Sequence, residues 1–347
     1  MIGPILSKKQ INKAGEALRV SVDQEELEEA ERILSVFRAR YVSPLDRFQK
    51  ILRRRVSKID PNAIVSQRLK RTPSIRSKLK RSEGRMKLAR MQDIGGLRAV
   101  VKDIWLVRQL EDSFVNNQAN RFAHILKNRK DYIKEPKSSG YRGIHLVYEC
   151  QGSADNTSNG ILLEIQIRTK IQHSWATAVE TVGTFLNQSI KSSEGDAEWN
   201  EYFSLASCAF ALLEDSPVVP EYNHLTKLEI FREFIKISDL LQVKKTLLAY
   251  STAVEVIGGK EQHKGNYHLL ILNYDTRMIK IRSFGRRSLA DANQEYFEWE
   301  QKAAKDKNLQ VVLVSIESID SLRLAYPSYF LDAREFINLI EKIESLI

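Results

Sequence analysis

Two carboxylates in strand-like segments carry the strongest chemical signal in this sequence. Asp93 stands just ahead of the run IGGLRAVV, in which Arg98 interrupts the apolar Leu97, Ala99, Val100 and Val101. An arginine in such a run is costly to bury without an anion, so Asp93 and Arg98 together point to a metal and a phosphate. Glu164 opens the segment EIQIR, where Ile161, Leu163, Ile165 and Ile167 alternate with Leu162, Glu164, Gln166 and Arg168. One face of that strand is core, and the other carries three polar groups in a row, like the floor of a site. Hard Mg²⁺ is held by few carboxylates plus substrate phosphates, so this pair suits phosphoryl or pyrophosphoryl transfer. Spacing alone leaves the alternative of two acids at solvated strand ends.

The cations are concentrated as such chemistry would need. Residues 50–90 hold 15 Lys/Arg against 2 Asp/Glu, so this segment carries the whole excess of a chain of net charge +10. It can be a phosphate-binding wall, a nucleic-acid track or a solvated face. Within it, SQRLKRTPSIRSKLKR (66–81) reads as a basic strand or loop, a Thr-Pro break, and a helix with Ser74 in its first turn. A second polar stretch, NRKDYIKEPKSSGYRG (128–143), reads as a loop rich in Lys, Arg, Ser, Gly and Tyr. Nothing in either segment calls for a covalent nucleophile.

The elements that must position these groups follow from periodicity. Residues 8–40 have apolar positions at helical spacing (Leu27, Ile33, Leu34, Phe37), and a third helix follows Ser43-Pro44 to about Arg55. An amphipathic helix is expected near 104–117, strands at 143–150 and 161–168, and helices from there to about 248. Beyond 250, strands at 252–257, 267–274, 278–283 and 309–315, with helices near 289–306 and 331–346, form a second α+β unit. At 347 residues and 43% hydrophobic, the chain can bury two cores. The two cysteines, Cys150 and Cys208, give no disulfide framework and no zinc site, and suit a reducing compartment. The start, MIGPILSKKQ, lacks a signal-peptide core, and no run approaches the ~20 apolar residues a bilayer needs. The expectation is a cytoplasmic protein with no membrane partner and no zinc.

Four ordered motifs resemble the RelA/SpoT-type alarmone synthetase domain: RLKRTPS (68–74), DIGGLR (93–98), DYIKEPKSSGYRGIH (131–145) and EIQIRT (164–169). The likeness covers roughly 45–185 closely. It implies an α+β fold, a mixed β-sheet with flanking helices, that binds ATP and Mg²⁺ and moves the β,γ-pyrophosphate to a ribose 3′-hydroxyl. By position, Arg68, Lys70, Ser74, Lys78 and Arg98 resemble the ATP wall. Asp93 and Glu164 resemble the metal ligands, and Glu164 is also placed to help deprotonate the attacking hydroxyl. The resemblance puts Tyr141 under an acceptor base, with His145, Gln166 and Arg168 holding acceptor groups and Lys134, Lys137 and Arg142 near its phosphates. Read from the residues alone, Lys78 can be a solvated helix face and His145 a structural histidine. The three loop cations can simply solvate their loop. Tyr141 lies in a polar, flexible context that argues against burial.

The chain has no upstream His-Asp hydrolase motif, so hydrolysis is not expected. QHSWATAVETVGTF (172–185) resembles the toxic small alarmone synthetases, especially the CapRel class, which is fused to its own antitoxin. That likeness implies a toxin domain over 1–225 and an antitoxin and sensor domain, a pseudo-zinc finger with anchoring helices, over 226–347. It also implies pyrophosphorylation of the 3′-CCA end of tRNA, a block of translation in anti-phage defence, and a phage major capsid protein as trigger. Tyr326 and Tyr329 in YPSY resemble the element with which that antitoxin occludes the ATP site, although YPSY is also an ordinary turn sequence. A small alarmone synthetase making (p)ppGpp or (p)ppApp, or an idle RNA-binding module, are the competing readings.

Overall fold

The computed structural model describes residues 6–347 except 117–122, 152–157, 186–196, 252–254, 258–266, 274, 275, 277, 286, 307, 316–318 and 331. Three helices open it, α1 (Lys8–Val20), α2 (Gln24–Ala39) and α3 (Val42–Val56). The first begins in a reciprocal capping box between Ser7 and Gln10, and the second on the Asp23 side chain, so each satisfies N–H groups that a helix start leaves open. Their apolar stripes bury Ile11, Leu18, Leu34, Phe37, Phe48 and Leu52.

The next elements are β1 (Ile64–Leu69), α4 (Thr72–Arg81), β2 (Gly95–Val101), α5 (Ile104–Val115), β3 (Ile125–Asp131), β4 (Ile144–Glu149) and β5 (Leu162–Thr169). Helices α6 (Lys170–Phe185), α7 (Ala197–Leu213), α8 (Lys227–Leu240) and α9 (Val243–Ser251) follow. The last part comprises β6 (Glu255–Ile257), β7 (Tyr267–Asn273), β8 (Met278–Phe284), α10 (Leu289–Lys305), β9 (Leu309–Ser315), α11 (Ile319–Ala325) and α12 (Arg334–Glu344).

The strands form one mixed sheet in the order β3-β4-β5-β2-β1-β9-β7-β8-β6. Strands β2 and β5 run parallel, as do β6 and β8, and the other neighbours are antiparallel. The α+β class with helices around a mixed sheet is the one expected. What the sequence does not suggest is that the C-terminal strands extend the same sheet, through an antiparallel joint between β1 and β9 at Arg68 and Val314.

Burial explains the apolar texture of the C-terminal strands. Leu269 and Ile271 of β7 pack with Val311 and Tyr296 on one face, while Leu270 and Leu272 pack with Val312, Leu322 and Tyr326 on the other. A strand covered on both faces reads as a continuous apolar run. Helix α12 returns to the helical half, where Phe336 meets Phe210 and Phe203 with ring centroids 5.1 and 5.9 Å away.

The elements differ from the expectation in detail. The segment 128–143 is not all loop, because its start belongs to β3. That strand is an outer one whose side chains alternate between exposed and half-buried, which leaves its sequence with little apolar signal. Helix α11 and the 3₁₀ turn Pro327–Phe330 after it are additional elements that periodicity does not reveal. Of the strand expected at 252–257 only Glu255–Ile257 is a described strand, the rest lying outside the described residues. Among the described residues no helix is long and apolar enough to cross a membrane.

Candidate active site

The sheet register assembles the polar residues. Directly paired residues share a face, so Arg68, Gly96 and Glu164 lie side by side across β1, β2 and β5. The next row holds Ser66, Arg98, Gln166 and His145. Gly96 is the flat spot between Arg68 and Glu164, where an added Cβ would meet only the Arg68 carbonyl at 4.0 Å. Its neighbour Gly95 faces the core, where a Cβ would come within 2.6 Å of Leu163 and 2.8 Å of Tyr41. The two glycines of DIGGLR thus serve opposite faces of one strand.

Asp93, just before β2, has one oxygen, Oδ2, held by Lys70 at 3.1 Å and Lys78 at 2.9 Å. Burial alone would raise this carboxyl, but the two ammonium groups outweigh it and hold it below the usual carboxylate range. The same burial pushes Lys70 below its ordinary range. The other oxygen, Oδ1, is buried with no hydrogen-bond partner among the described residues. Such a half-satisfied carboxylate fits one ligand of a hard cation. Glu164 is close enough to feel the Asp93 charge, and both its oxygens are engaged: Oε1 with His145 Nδ1 at 2.8 Å, Oε2 with Gln166 Nε2 at 2.7 Å. Burial would raise Glu164 as well, and the His145 hydrogen bond brings it below its usual value. No group of three or more His, Cys, Asp or Glu suited to a metal occurs among the described residues. A cation here would rest on Asp93 and Glu164, with substrate phosphates completing its shell.

Of the predicted ATP wall, Lys70 and Lys78 meet on Asp93, and Arg68 and Arg98 line one cleft. Arg68 is exposed on β1, Lys70 follows it, and Ser74 and Lys78 lie on α4, with Lys78 turned onto Asp93. Arg98 is surrounded by polar groups yet desolvated, which pushes it down to about 10. Its guanidinium lies 5.2 Å from the centre of the Tyr326 ring and donates to the Ala325 carbonyl. Tyr326 is buried and donates its hydroxyl to the Gln67 carbonyl at 2.9 Å, and His173 Nε2 lies 3.1 Å from the Leu324 carbonyl. Tyr326 thus forms one wall of a cleft whose others include Arg68, Arg98, Arg168, His173 and Glu180. The side chain of Tyr329 lies outside the described residues.

The acceptor set divides. His145, Gln166, Arg168 and Tyr141 form one hydrogen-bonded cluster around Glu164. Tyr141, expected outside the core, is only 8% exposed, because Tyr132, His145 and Trp175 pack edge-on around it. Arg142 does not join them. It is buried against α7, donating to Ser207 Oγ at 2.8 Å, and desolvation pushes it down to about 10. Lys134 and Lys137 are exposed, Lys137 standing 4.5 Å from the centre of the Tyr132 ring. Sequence reasoning misses Tyr132 and His173, although the family-like motifs contain both. It also misses Arg38 and Glu300, which no local pattern connects.

Arg38 of α2 is 1% exposed and forms an ion pair with Glu300 of α10. Its Nη2 donates to Tyr296 at 2.8 Å, and Nη1 to Thr72 Oγ1 at 3.1 Å. Glu300 Oε1 also accepts the Thr72 backbone N–H at 2.9 Å. Helix α4 has no side-chain cap from Arg71, its own N-cap residue, so a carboxylate from the C-terminal strand unit serves its start.

Residues 67–184 match the family described as a region found in RelA / SpoT proteins. The GTP pyrophosphokinase YjbM of Bacillus subtilis (strain 168) is 35% identical over 121 residues, 34% of this chain and 54% of that protein. The GTP pyrophosphokinase YwaC of the same organism is 29% identical over 100 residues, 29% of this chain and 46% of that protein. The chain spans about half the length of the curated relatives it matches. Among solved structures, small alarmone synthetase 1 from Bacillus subtilis, bound to its product pppGpp, is 25% identical. It aligns over 51% of this chain and 92% of that one, with a TM-score of 0.41. A GTP pyrophosphokinase family protein from Streptococcus pneumoniae is 24% identical over 61% of this chain and 95% of that one, with a TM-score of 0.43. Residues 67–184 therefore correspond to the region found in RelA / SpoT proteins.

Proposed function

We propose that this chain is an ATP-dependent pyrophosphokinase held in check by its own C-terminal segment. The observation that carries the reading is the row Arg68–Gly96–Glu164, an open floor with a cation at one end and a carboxylate at the other, beside Asp93 and Arg98. An acceptor 3′-oxygen would attack the β-phosphorus of ATP, forming the new P–O bond as AMP leaves with the oxygen that bridged its α- and β-phosphates. Glu164 takes the hydroxyl proton. Arg68, Arg98, Lys70 and Lys78 neutralise phosphate charge, and the transfer relies mainly on such positioning. A Mg²⁺ on Asp93 and Glu164, when bound, would neutralise the phosphate oxygens further.

The finer reading is that of a fused toxin and antitoxin over 1–225 and 226–347, acting in the cytoplasm. Tyr326 on Arg98 supports it, because an aromatic ring over a phosphate-site guanidinium excludes a nucleotide from the same place. The acceptor we favour is the 3′-CCA end of tRNA, which would stop translation during phage infection, with a phage major capsid protein binding the C-terminal unit as trigger. The exposed cations Lys80, Arg81, Arg85, Lys87 and Arg90, which follow Lys78 in the chain, suit a polyanionic acceptor. Synthesis of (p)ppGpp or (p)ppApp is the second reading, favoured by the likeness to two GTP pyrophosphokinases. Labelled ATP offered with deacylated tRNA, GDP, GTP or adenosine nucleotides, with and without capsid protein, separates the two. Label on tRNA supports the first, and label confined to nucleotides refutes it.

A further inference from the structure

Arg142 stands apart from the acceptor cluster, and its own hydrogen bonding is unfinished. Nε donates to Ser207 Oγ at 2.8 Å, and Nη1 reaches the Ile133 carbonyl only at 3.5 Å. Nη2 is buried with no hydrogen-bond partner among the described residues. The residue is 5% exposed, so bulk water does not serve these N–H groups. A buried guanidinium with an idle N–H is costly, and in a folded protein it marks a bound water or ion.

The surroundings distinguish between those two. Arg142 lines a small cleft between α6 and the end of α7, together with Gln172, Trp175, Ser207, Phe210 and Glu214. Glu214 is the carboxyl whose charge reaches Arg142, yet no ion pair joins the two among the described residues. Asp93 shows what close cations do to a buried carboxyl, since Lys70 and Lys78 hold it low. Glu214 goes the other way. Burial pushes it up to about 7, against the pull of Arg142 and of the Gln172 amide that donates to it at 3.3 Å. Below that value Glu214 is neutral, offers an O–H, and leaves the Arg142 charge without compensation.

The other polar groups of the cleft also have protons to give. Ser207 Oγ accepts from Arg142, and its own proton has no acceptor among the described contacts. The Trp175 indole is already engaged, donating to the Phe203 carbonyl at 2.7 Å. Idle donors and one uncancelled positive charge call for an anion. The room left is little more than that of one water-sized group, which excludes phosphate esters and nucleotides.

We propose that this cleft is a site for one small monovalent anion, of the size of chloride, held by Arg142 Nη2 and the Ser207 hydroxyl. The ion ties the loop 137–142 to α7, where Ser204 Oγ already donates to the Ser138 carbonyl at 2.8 Å. That loop carries Lys137 and Tyr141, so the anion is a fixed clip behind the acceptor side. The proposal goes beyond the pyrophosphokinase reading, because occupancy is read with no substrate present.

Crystals of the full chain grown in bromide at mildly acidic pH, measured at the bromine absorption edge, locate the anion directly. The expected result is an anomalous peak within hydrogen-bond reach of Arg142 Nη2 and Ser207 Oγ. Peaks at surface cations alone, an adventitious ion only, overturn the proposal, and so does a water at Arg142 without anomalous signal. In solution, the melting midpoint of wild type and of Ser207→Ala is followed in chloride against gluconate at equal ionic strength. Chloride should raise the wild-type midpoint and then saturate, and Ser207→Ala should need roughly tenfold more chloride for the same rise. Equal wild-type midpoints in the two salts overturn the proposal whether or not the variant folds. A Ser207→Ala chain that responds to chloride as wild type does overturns it too.

Discussion

Removing the Glu300 side chain should unsettle both halves of the molecule at once. Glu300→Ala leaves the Arg38 guanidinium, 1% exposed, inside the protein with only Tyr296 and Thr72 as polar partners among the described residues. Breaking a buried pair from one side costs about 3–5 kcal/mol. Loss of the carboxylate at the start of α4 adds about 1 kcal/mol. The sum, about 4–6 kcal/mol, is a large part of the 5–15 kcal/mol that holds a typical domain folded. Arg38→Met combined with Glu300→Gln should cost far less, since the charge is gone and an amide oxygen can still accept the Thr72 N–H. Urea unfolding of wild type, Arg38→Met, Glu300→Gln and the double variant gives the coupling directly, provided the slope with denaturant stays constant. A Glu300→Ala loss below about 1 kcal/mol would refute the view that the pair is a buried and obligatory joint.

Other perturbations test other parts. Tyr326→Ala removes a cation–π contact and a buried hydrogen bond, together worth about 2 kcal/mol, so basal transfer from ATP should rise at least about tenfold; unchanged basal activity counts against occlusion. Gly95→Ala should cost about 1–3 kcal/mol through its clash with Leu163 and Tyr41, whereas Gly96→Ala should leave the melting curve almost unmoved and weaken ATP binding. Glu214 offers a pH test, since burial pushes its carboxyl up to about 7 from the ordinary 4.5. Between those values the folded chain binds the proton that the unfolded chain has released. Stability should therefore fall as pH rises from about 4.5 to 7, by up to about 3 kcal/mol, then level off. Glu214→Gln should flatten that slope, and a wild-type profile that does not fall over this window would show that the group is not held protonated.

Much of the site is legible in the sequence because its residues are local to strands. Alternation in ILLEIQIR by itself puts Glu164, Gln166 and Arg168 on one face, and the Arg in IGGLRAVV marks a polar position on a buried strand, although the structure sets it against Tyr326 and the Ala325 carbonyl and not against an anion. Tyr141 is misjudged from sequence because its polar neighbours say nothing about Trp175 and α7, which close over it from later in the chain. Strand β3 escapes detection because an outer strand with side chains exposed or half-buried has no apolar alternation. Arg142 looks like its neighbours Lys134 and Lys137, and only Ser207, 65 residues on, distinguishes it. Arg38 and Glu300, 262 positions apart, each read as an ordinary charged residue on a polar helix face.

The joint between β1 and β9 has a consequence for how the chain is made. Every residue of the phosphate-facing set through Arg168 is synthesised well before Tyr326, an interval of roughly 8–30 s at about 5–20 residues per second. For most of that interval β1 lacks its neighbour on the β9 side, Arg38 lacks its carboxylate and the start of α4 lacks its cap. The half that carries Asp93 and Glu164 is thus short of its final packing until the ribosome has delivered Glu300 and β9, and Tyr326 follows within a dozen residues of the end of β9.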